Sequence, residues 1–274
     1  MSGSLTIVGT GLRFAGDLTL AARDCIENAD RVFYGVDDAA SSAWIRQLNP
    51  QAVNLVPMTR AGHDRLNAYE RMVEALLVPV REGQDVCAVF YGHPGFYVYP
   101  SHLAIGRARA EGHRAEMMAG ISALDWLFAD LGFDPSTRGG VRIHGATDWL
   151  LRRRPADPNT DLILMQAGLI HVMKWRTERE RDTRCLQLLA DRLAEIYGPE
   201  HECTAYVAST YTSLPPQIDR FAIADLPNAP IVAETTLYVP LKEAPAIDEP
   251  SRDALARARA PRSPELPREI RTDM

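Results

Sequence analysis

VCAVFYGHPG, residues 86–95, is an almost entirely apolar run followed at once by a loop with two glycines. A run of this length without polar alternation is typical of a central parallel strand that is covered on both faces. Ligands of open parallel sheets bind beyond the carboxyl ends of the strands, and Gly92 and Gly95 would let a ligand approach the backbone closely. The stretch therefore predicts a parallel α/β sheet with a ligand site at residues 91–95.

Short apolar runs and helical stripes alternate around this stretch. Strands are predicted at residues 5–8 and 31–34. Apolar residues at helical spacing predict helices at residues 19–29, 66–81 and 102–110. Strands that alternate with helices imply a parallel sheet with helices on both of its faces.

A second set of elements begins near Gly120. Ser122 is a candidate cap for a helix at residues 123–131, with Asp125 as the reciprocal partner of a capping box. The remaining strands of this half are predicted at residues 141–144, 162–166, 204–209 and 235–239.

The sequence divides into three parts, with the boundary between the two larger ones at residues 118–121. We predict an N-terminal α/β domain at residues 1–119 and a C-terminal α/β domain at residues 120–241. The tail at residues 242–274 is rich in proline and charge and poor in apolar residues. It therefore cannot build a core and is predicted to be flexible, with one short helix at residues 251–260.

Composition limits the partners and the compartment. The net charge of −6 and the pI near 5.7 leave no basic surplus to displace counterions, which argues against a nucleic-acid partner. The four cysteines are not spaced as metal pairs, so we expect reduced thiols and no metal site. The sequence shows neither a basic, apolar signal segment nor a long apolar stretch, so we expect a cytoplasmic protein with no membrane contact.

Two glycine-containing turns are candidates for ligand binding. GTG at residues 9–11 follows the first strand, but position 14 is Phe, so this turn alone fits a simple strand–helix turn as well as a nucleotide-binding one. At residues 91–95, the ring of Tyr91 and the amides beyond it would hold an adenosine and a methionine-like tail. His93 either transfers a proton or only bonds to the loop backbone, and we favour the second interpretation.

Several separated motifs are similar to those of one protein family. They are SLTIVGTG at 4–11, VFYGHPG at 89–95, PSH at 100–102, GISA at 120–123, LFADL at 127–131, DP at 134–135 and TTLYVP at 235–240. Through them the chain resembles the tetrapyrrole (precorrin) methylase superfamily. Within that superfamily it most resembles the borosin peptide backbone α-N-methyltransferases of the bacterial split type, which act on a separate peptide.

The resemblance implies two α/β domains with S-adenosylmethionine in the cleft between them, and S-adenosylhomocysteine as the product. It implies N-methylation of backbone amides in a separate, ribosomally made precursor peptide. The assembly it implies is a homodimer, or a heterotetramer with two precursor peptides. The donor contacts it implies are Tyr91, His93, Phe96, Tyr97, Ser122, Ala123, Gln166, Tyr206 and Thr236.

The family's catalytic arginine and tyrosine match Arg65 and Tyr69 of RLNAY, residues 65–69. Residues four apart share one face of a helix, and the predicted helix start places Arg65 near a loop, where functional residues are common. Without the resemblance, the same pattern is better interpreted as a surface charge and a core tyrosine.

Two departures from the family concern the substrate side. Family members carry several tyrosines upstream of this arginine, whereas the stretch here is VPMTRAGH, residues 56–63, which leaves Thr59 or His63 to replace them. Fungal members carry a methyl-accepting core peptide behind the methyltransferase, whereas this chain ends in a short tail. The second departure favours the split type.

Two other functions stay open at this point. One is a methyltransferase for a tetrapyrrole-like small molecule, and the other is a homologue that binds donor and peptide but is impaired in catalysis. The GHPG loop together with RLNAY favours peptide methylation over the first alternative. The missing tyrosines keep the second alternative open, and the sequence leaves the precursor peptide and the number of methylations undetermined.

Overall fold

The computed structural model describes residues 3–59, 64–172 and 183–259, and within them the chain forms two five-stranded sheets. Every strand pairing in the first sheet is parallel, as the alternation of strands and helices predicts. Its elements are β1 (Ser4–Gly9), α1 (Leu20–Asn28), β2 (Arg31–Gly35), α2 (Ala39–Leu48), β3 (Val53–Asn54), α3 (Arg65–Arg81), β4 (Asp85–Phe90), α4 (Tyr99–Ala110) and β5 (Arg114–Met117), with the strands in the order β3-β2-β4-β1-β5.

Strand β4 is covered on both faces, as its apolar sequence predicts. Val86, Ala88 and Phe90 pack with residues of α3 and α4, whereas Cys87 and Val89 pack with residues of α1 and α2. Full burial of each larger apolar side chain contributes roughly 1.5–3 kcal/mol. Helices therefore cover both faces of the first sheet at β4, which directs attention to the carboxyl ends of its strands as the place for a ligand.

The second sheet is mixed. Strand β6 pairs with β7 in parallel, and the remaining pairings are antiparallel. Its elements are α5 (Ala123–Leu131), β6 (Val141–Gly145), α6 (Ala146–Leu151), β7 (Asp161–Met165), α7 (Thr183–Tyr197), β8 (Glu202–Val207), β9 (Gln217–Ala222) and β10 (Thr236–Val239), with the strands in the order β6-β7-β10-β8-β9.

Helix α5 follows the first sheet and packs on the second. Ser122 caps it, and the Asp125 side chain bonds back to the Ser122 backbone, so the predicted capping box is confirmed. Leu127 is fully buried in a cluster with Met165 and Tyr206 of the second sheet. This packing is consistent with a boundary at residues 118–121, and the domain limits themselves stay a prediction.

The described part of the tail, residues 242–259, contains the helix α8 (Glu249–Arg259), which overlaps the helix predicted at residues 251–260. All of its residues are exposed, as expected for a segment without enough apolar residues to form a core. Within the described ranges, no helix combines the length and the apolarity needed to cross a membrane.

Candidate active site

Two glycine turns bind each other beyond the carboxyl ends of β1 and β4. The Gly11 N–H donates to the Gly92 carbonyl at 3.2 Å, and the Gly92 N–H donates to the Gly11 carbonyl at 3.0 Å. Both residues have positive φ angles, +69° and +71°, which glycine adopts without strain. The two turns predicted from the sequence therefore form one backbone unit at the edge of the sheet where ligands bind.

The segment before α5 lies against the same unit. A Cβ atom added to Gly120 would lie 3.0 Å from the Gly92 carbonyl oxygen, and one added to Gly9 would lie 2.0 Å from the same oxygen. Such approaches are possible only because these residues lack a side chain. The contact brings Ser122 and Ala123, two of the predicted donor contacts, to the loop at residues 91–95.

His93 makes a local bond within that loop. Its Nδ1 accepts the Gly95 N–H at 2.9 Å, and the His102 ring lies 2.8 Å from the Gly95 carbonyl through its Nε2. These bonds hold the loop on the start of α4. They favour the interpretation of His93 as a loop-backbone contact over proton transfer.

Aromatic rings continue from the loop towards α4. Tyr91 and Tyr97 are each 41% exposed, and the rings of Phe96 and Tyr97 meet edge to face at 4.9 Å. Burial raises the pKa of Tyr91 to about 12, and the bond of its hydroxyl to Thr210 offsets only part of that rise. Burial likewise raises the pKa of Tyr97, so both phenols are neutral at physiological pH. The loop thus presents two partly exposed, uncharged rings.

Three predicted donor contacts lie on or beside strands of the second sheet. Tyr206 and Thr236 are paired in register between β8 and β10, and both are buried. The Thr236 hydroxyl lies 3.9 Å from the Met165 sulfur. Gln166 follows β7 with a φ of +59°, which is unusual outside glycine, and its side chain makes no capping bond at the turn that it begins.

The predicted donor contacts converge from both halves of the chain. Phe96 and Ala123 pack in the cluster that contains Met165 and Tyr206, and Gln166 is the next residue after Met165. The structure therefore brings together side chains that lie more than 100 residues apart in the sequence. Their contact with a donor stays a prediction.

Arg65 and Tyr69 meet on one face of α3, as their spacing predicts. Arg65 Nη2 donates to the Tyr69 hydroxyl at 3.0 Å, and Arg65 Nη1 donates to the Val172 carbonyl at 3.1 Å. The Tyr69 ring lies 6.0 Å from the ring of Tyr99, which begins α4 directly after the glycine loop. Both side chains are half-buried. Tyr69 packs against the apolar core between α3 and the first sheet, as expected for a residue on the apolar stripe of the helix.

The structure describes only one of the two candidate replacements for the missing tyrosines. The Thr59 hydroxyl donates to the Val56 carbonyl at 2.7 Å, which ties it to its own 3-10 turn. His63 lies outside the described residues. In the described parts of the chain, no three His, Cys, Asp or Glu side chains are grouped so that they could hold a metal ion.

The sequence analysis did not identify the polar residues that join the two halves. Asp17 accepts the Trp126 indole N–H at 2.7 Å, the Phe14 N–H donates to the Thr210 carbonyl at 2.7 Å, and the Tyr211 hydroxyl donates to an Asp38 carboxylate oxygen. The only signal available was an acidic residue shortly after a glycine turn, at Asp17. The partners of these residues are too distant in the sequence to form a recognisable pattern.

Comparison with known proteins identifies the fold. The family model of Tetrapyrrole (Corrin/Porphyrin) Methylases matches residues 4–213. The solved uroporphyrin-III-C-methyltransferase from Thermus thermophilus superposes with a TM-score of 0.61 at 18% identity, over 97% of this chain and 100% of that one. A cobalt precorrin-4 methyltransferase superposes with the same TM-score at 17% identity, over 88% and 96%. These likenesses confirm the predicted α/β fold class of the tetrapyrrole-methylase type.

Closer sequence relatives are fungal fusion proteins. The chain is 41% identical over 245 residues to the methyltransferase/ribosomally synthesized cyclic peptide omphalotin A precursor of Omphalotus olearius. It is 40% identical over 244 residues to the corresponding dendrothelin A precursor of Dendrothele bispora. Each match covers 88% of this chain and 58% of the relative, so the chain spans less than two thirds of their length. The predicted resemblance to borosin methyltransferases is confirmed.

Proposed function

The chain belongs to the tetrapyrrole (corrin/porphyrin) methylase family, whose methyl donor is S-adenosylmethionine, and we propose that it methylates backbone amide nitrogens of a peptide. One observation carries the proposal: the Arg65 guanidinium bonds to the Tyr69 hydroxyl and, at the same time, to a peptide carbonyl, that of Val172. A guanidinium that already binds one amide oxygen has the chemistry to bind that of a substrate. The 40% identical relatives, named as methyltransferases joined to peptide precursors, support the same substrate class.

Amide methylation needs this kind of side chain. The nitrogen lone pair of a peptide is delocalised into the carbonyl, so the nitrogen is a poor nucleophile. Loss of the N–H proton leaves a negative charge on the amide, most of it on the oxygen. Arg65 would stabilise that oxygen as an oxyanion hole does. Tyr69 would relay the proton, its oxygen receiving the amide proton while its own hydrogen passes to water.

The residues at the glycine loop fit the donor. Tyr91 and Tyr97 offer partly exposed, neutral rings, and the Gln166 side chain is not used as a cap. The donor, when bound, supplies an electrophilic methyl group on a positively charged sulfur. The protein itself would orient the peptide nitrogen towards that methyl group and exclude water from it.

We propose that the peptide is a separate precursor molecule, and that the enzyme acts in the cytoplasm as a homodimer or as a heterotetramer with two precursors. The relatives carry their precursor in the same chain. Their length beyond the matched part supports the idea that a peptide reaches the site from outside the methyltransferase domain. Light scattering should give a mass of at least twice 30.4 kDa, and a monomer that turns over would remove the dimer from the proposal.

A substrate competition tests the proposed function. Purified protein with S-adenosylmethionine is offered a precursor-type peptide rich in Val and Ile, or a porphyrin-like compound, and the formation of S-adenosylhomocysteine is followed. Turnover that depends on the peptide is expected. Turnover with the porphyrin-like compound alone would replace peptide methylation by small-molecule methylation. Donor binding without turnover on either would indicate a catalytically impaired homologue.

A further inference from the structure

A buried polar cluster lies between the two halves and takes no part in the proposed chemistry. The Asp17 carboxylate accepts three N–H groups: the backbone N–H of Leu12 at 3.0 Å, that of Arg13 at 2.9 Å and the Trp126 indole at 2.7 Å. One carboxylate thus holds the turn after β1 and the helix α5 together. We call Arg13, Asp17, Trp126 and Asp130 the Arg13 cluster.

Within this cluster, the Arg13 guanidinium is held by an aromatic face and one carboxylate. Its Cζ lies 3.4 Å from the centroid of the Trp126 ring, and its Nη2 lies 3.9 Å from an Asp130 oxygen. The side chains of Arg13 and Asp130 are only 27% and 14% exposed, and the Arg13 Nε has no acceptor among the described residues. A largely buried guanidinium with so few bonds depends strongly on its stacking and on its ion pair.

The other oxygen of Asp130 fixes a predicted donor contact. The fully buried Tyr206 hydroxyl donates to Asp130 Oδ2 at 2.7 Å. Burial in the first place, and this bond in the second, raise the pKa of Tyr206, so the phenol keeps its proton. A phenol has one hydrogen to donate. Because that hydrogen is bonded to Asp130, the hydroxyl is committed to this partner and the Tyr206 ring is fixed against α5.

We propose that Asp130 is a positioning residue of the donor site: by accepting the Tyr206 hydrogen bond it fixes the buried Tyr206 ring, and with it Phe96 and Ala123, the predicted donor contacts that pack in the same cluster. Arg13, stacked on Trp126, lies beside the other oxygen of Asp130 and helps to hold it in place. The inference rests on the donor site of the proposed function and adds to it a residue that does not itself touch the donor.

Calorimetry with S-adenosylhomocysteine, a stable ligand, tests the assignment. Tyr206→Phe and Asp130→Leu should each weaken binding about tenfold, the size of one hydrogen bond to a charged or fixed group. Asp130→Asn keeps an acceptor for the hydroxyl and should stay within about threefold of wild type. Tyr238→Phe is the matched control, because Tyr238 also donates to a buried carboxylate, that of Asp161 at 3.0 Å, and it should leave affinity unchanged.

The decisive comparison is the double variant. If Asp130 acts through Tyr206, then Tyr206→Phe combined with Asp130→Leu should bind as tightly as Tyr206→Phe alone, because the hydroxyl that Asp130 orients is gone. Removal of both polar partners together is also better tolerated than removal of one. The double variant therefore decides the matter even if Asp130→Leu alone unfolds, which thermal melting will show.

Two outcomes would be adverse, and they can be told apart. If Asp130→Leu weakens binding as much in the Tyr206→Phe background as in wild type, Asp130 does not act through the hydroxyl. The inference is then overturned, while the proposed function stands. If wild type binds no S-adenosylhomocysteine, the donor site is wrong and the proposed function fails together with the inference.

Discussion

The donor side and the substrate side of this site are built in different ways. On the predicted donor side, backbone bonds between Gly11 and Gly92 and a buried cluster of side chains from α5 and the second sheet fix the geometry. On the substrate side, Arg65 and Tyr69 stand half-buried at the first turns of one helix. Under the proposed function, this difference means that the fold itself provides the donor site, whereas the choice of substrate depends on a few side chains placed beside it.

Arg65→Ala should give the largest difference between an effect on turnover and an effect on donor binding. We expect turnover to fall by about 10²–10³-fold, the usual loss when an oxyanion contact is removed, while donor affinity stays within about threefold. Arg71→Ala is the matched control, because Arg71 lies on the same helix and bonds to the Met58 carbonyl. Steady-state rates and calorimetry measure both effects. Near wild-type turnover in Arg65→Ala would make the pair structural.

Tyr69→Phe removes one hydroxyl and keeps the ring that packs on the core. We expect turnover to fall on the order of 10²-fold, as for loss of a general base, with donor affinity and melting temperature nearly unchanged. A clear fall in melting temperature alongside the fall in turnover would indicate that Tyr69 acts through packing. The contrast between the two sides would then no longer rest on the chemistry of the hydroxyl.

Gly92→Val tests the donor side. A side chain there must adopt a φ of +71° and approach Leu12 to 3.3 Å, so we expect donor affinity to fall about tenfold or more through distortion of the paired turns. Gly112→Val is the control, because Gly112 also has a positive φ, +85°, with nothing within 4 Å of the added atom. The control should lose stability but keep donor affinity. Equal donor affinity in both variants would contradict the site at residues 91–95.

Thr59→Val should have the smallest effect. The Thr59 hydroxyl is bonded to the Val56 carbonyl, so its loss should change turnover by less than about threefold while it weakens the local turn by about 1 kcal/mol. A fall of 10²-fold in the methylation rate would instead assign to Thr59 the part that upstream tyrosines play in the family.

The sequence predicted the elements around the candidate site better than the bonds that join them. Strand β4 and helix α5 follow from an apolar run and from a capping box, which are local patterns. Strand β9 was missed, because an outer strand with charged Asp219 and Arg220 lacks an apolar run. The bonds from Asp17 to Trp126 and from Tyr206 to Asp130 were missed as well, since they join residues distant in sequence. Which of Thr59 and His63 serves the substrate has no local signature at all.

The position of the transferred methyl group tests the central claim most directly. A Val/Ile-rich precursor peptide is incubated with S-adenosylmethionine and either wild type or Arg65→Ala, and the product is fragmented in a mass spectrometer. The account predicts mass increases in methyl-sized steps with wild type only, and fragment ions that place each methyl on a backbone nitrogen. Methyl groups on side chains, or the same backbone methylation with Arg65→Ala, would contradict it.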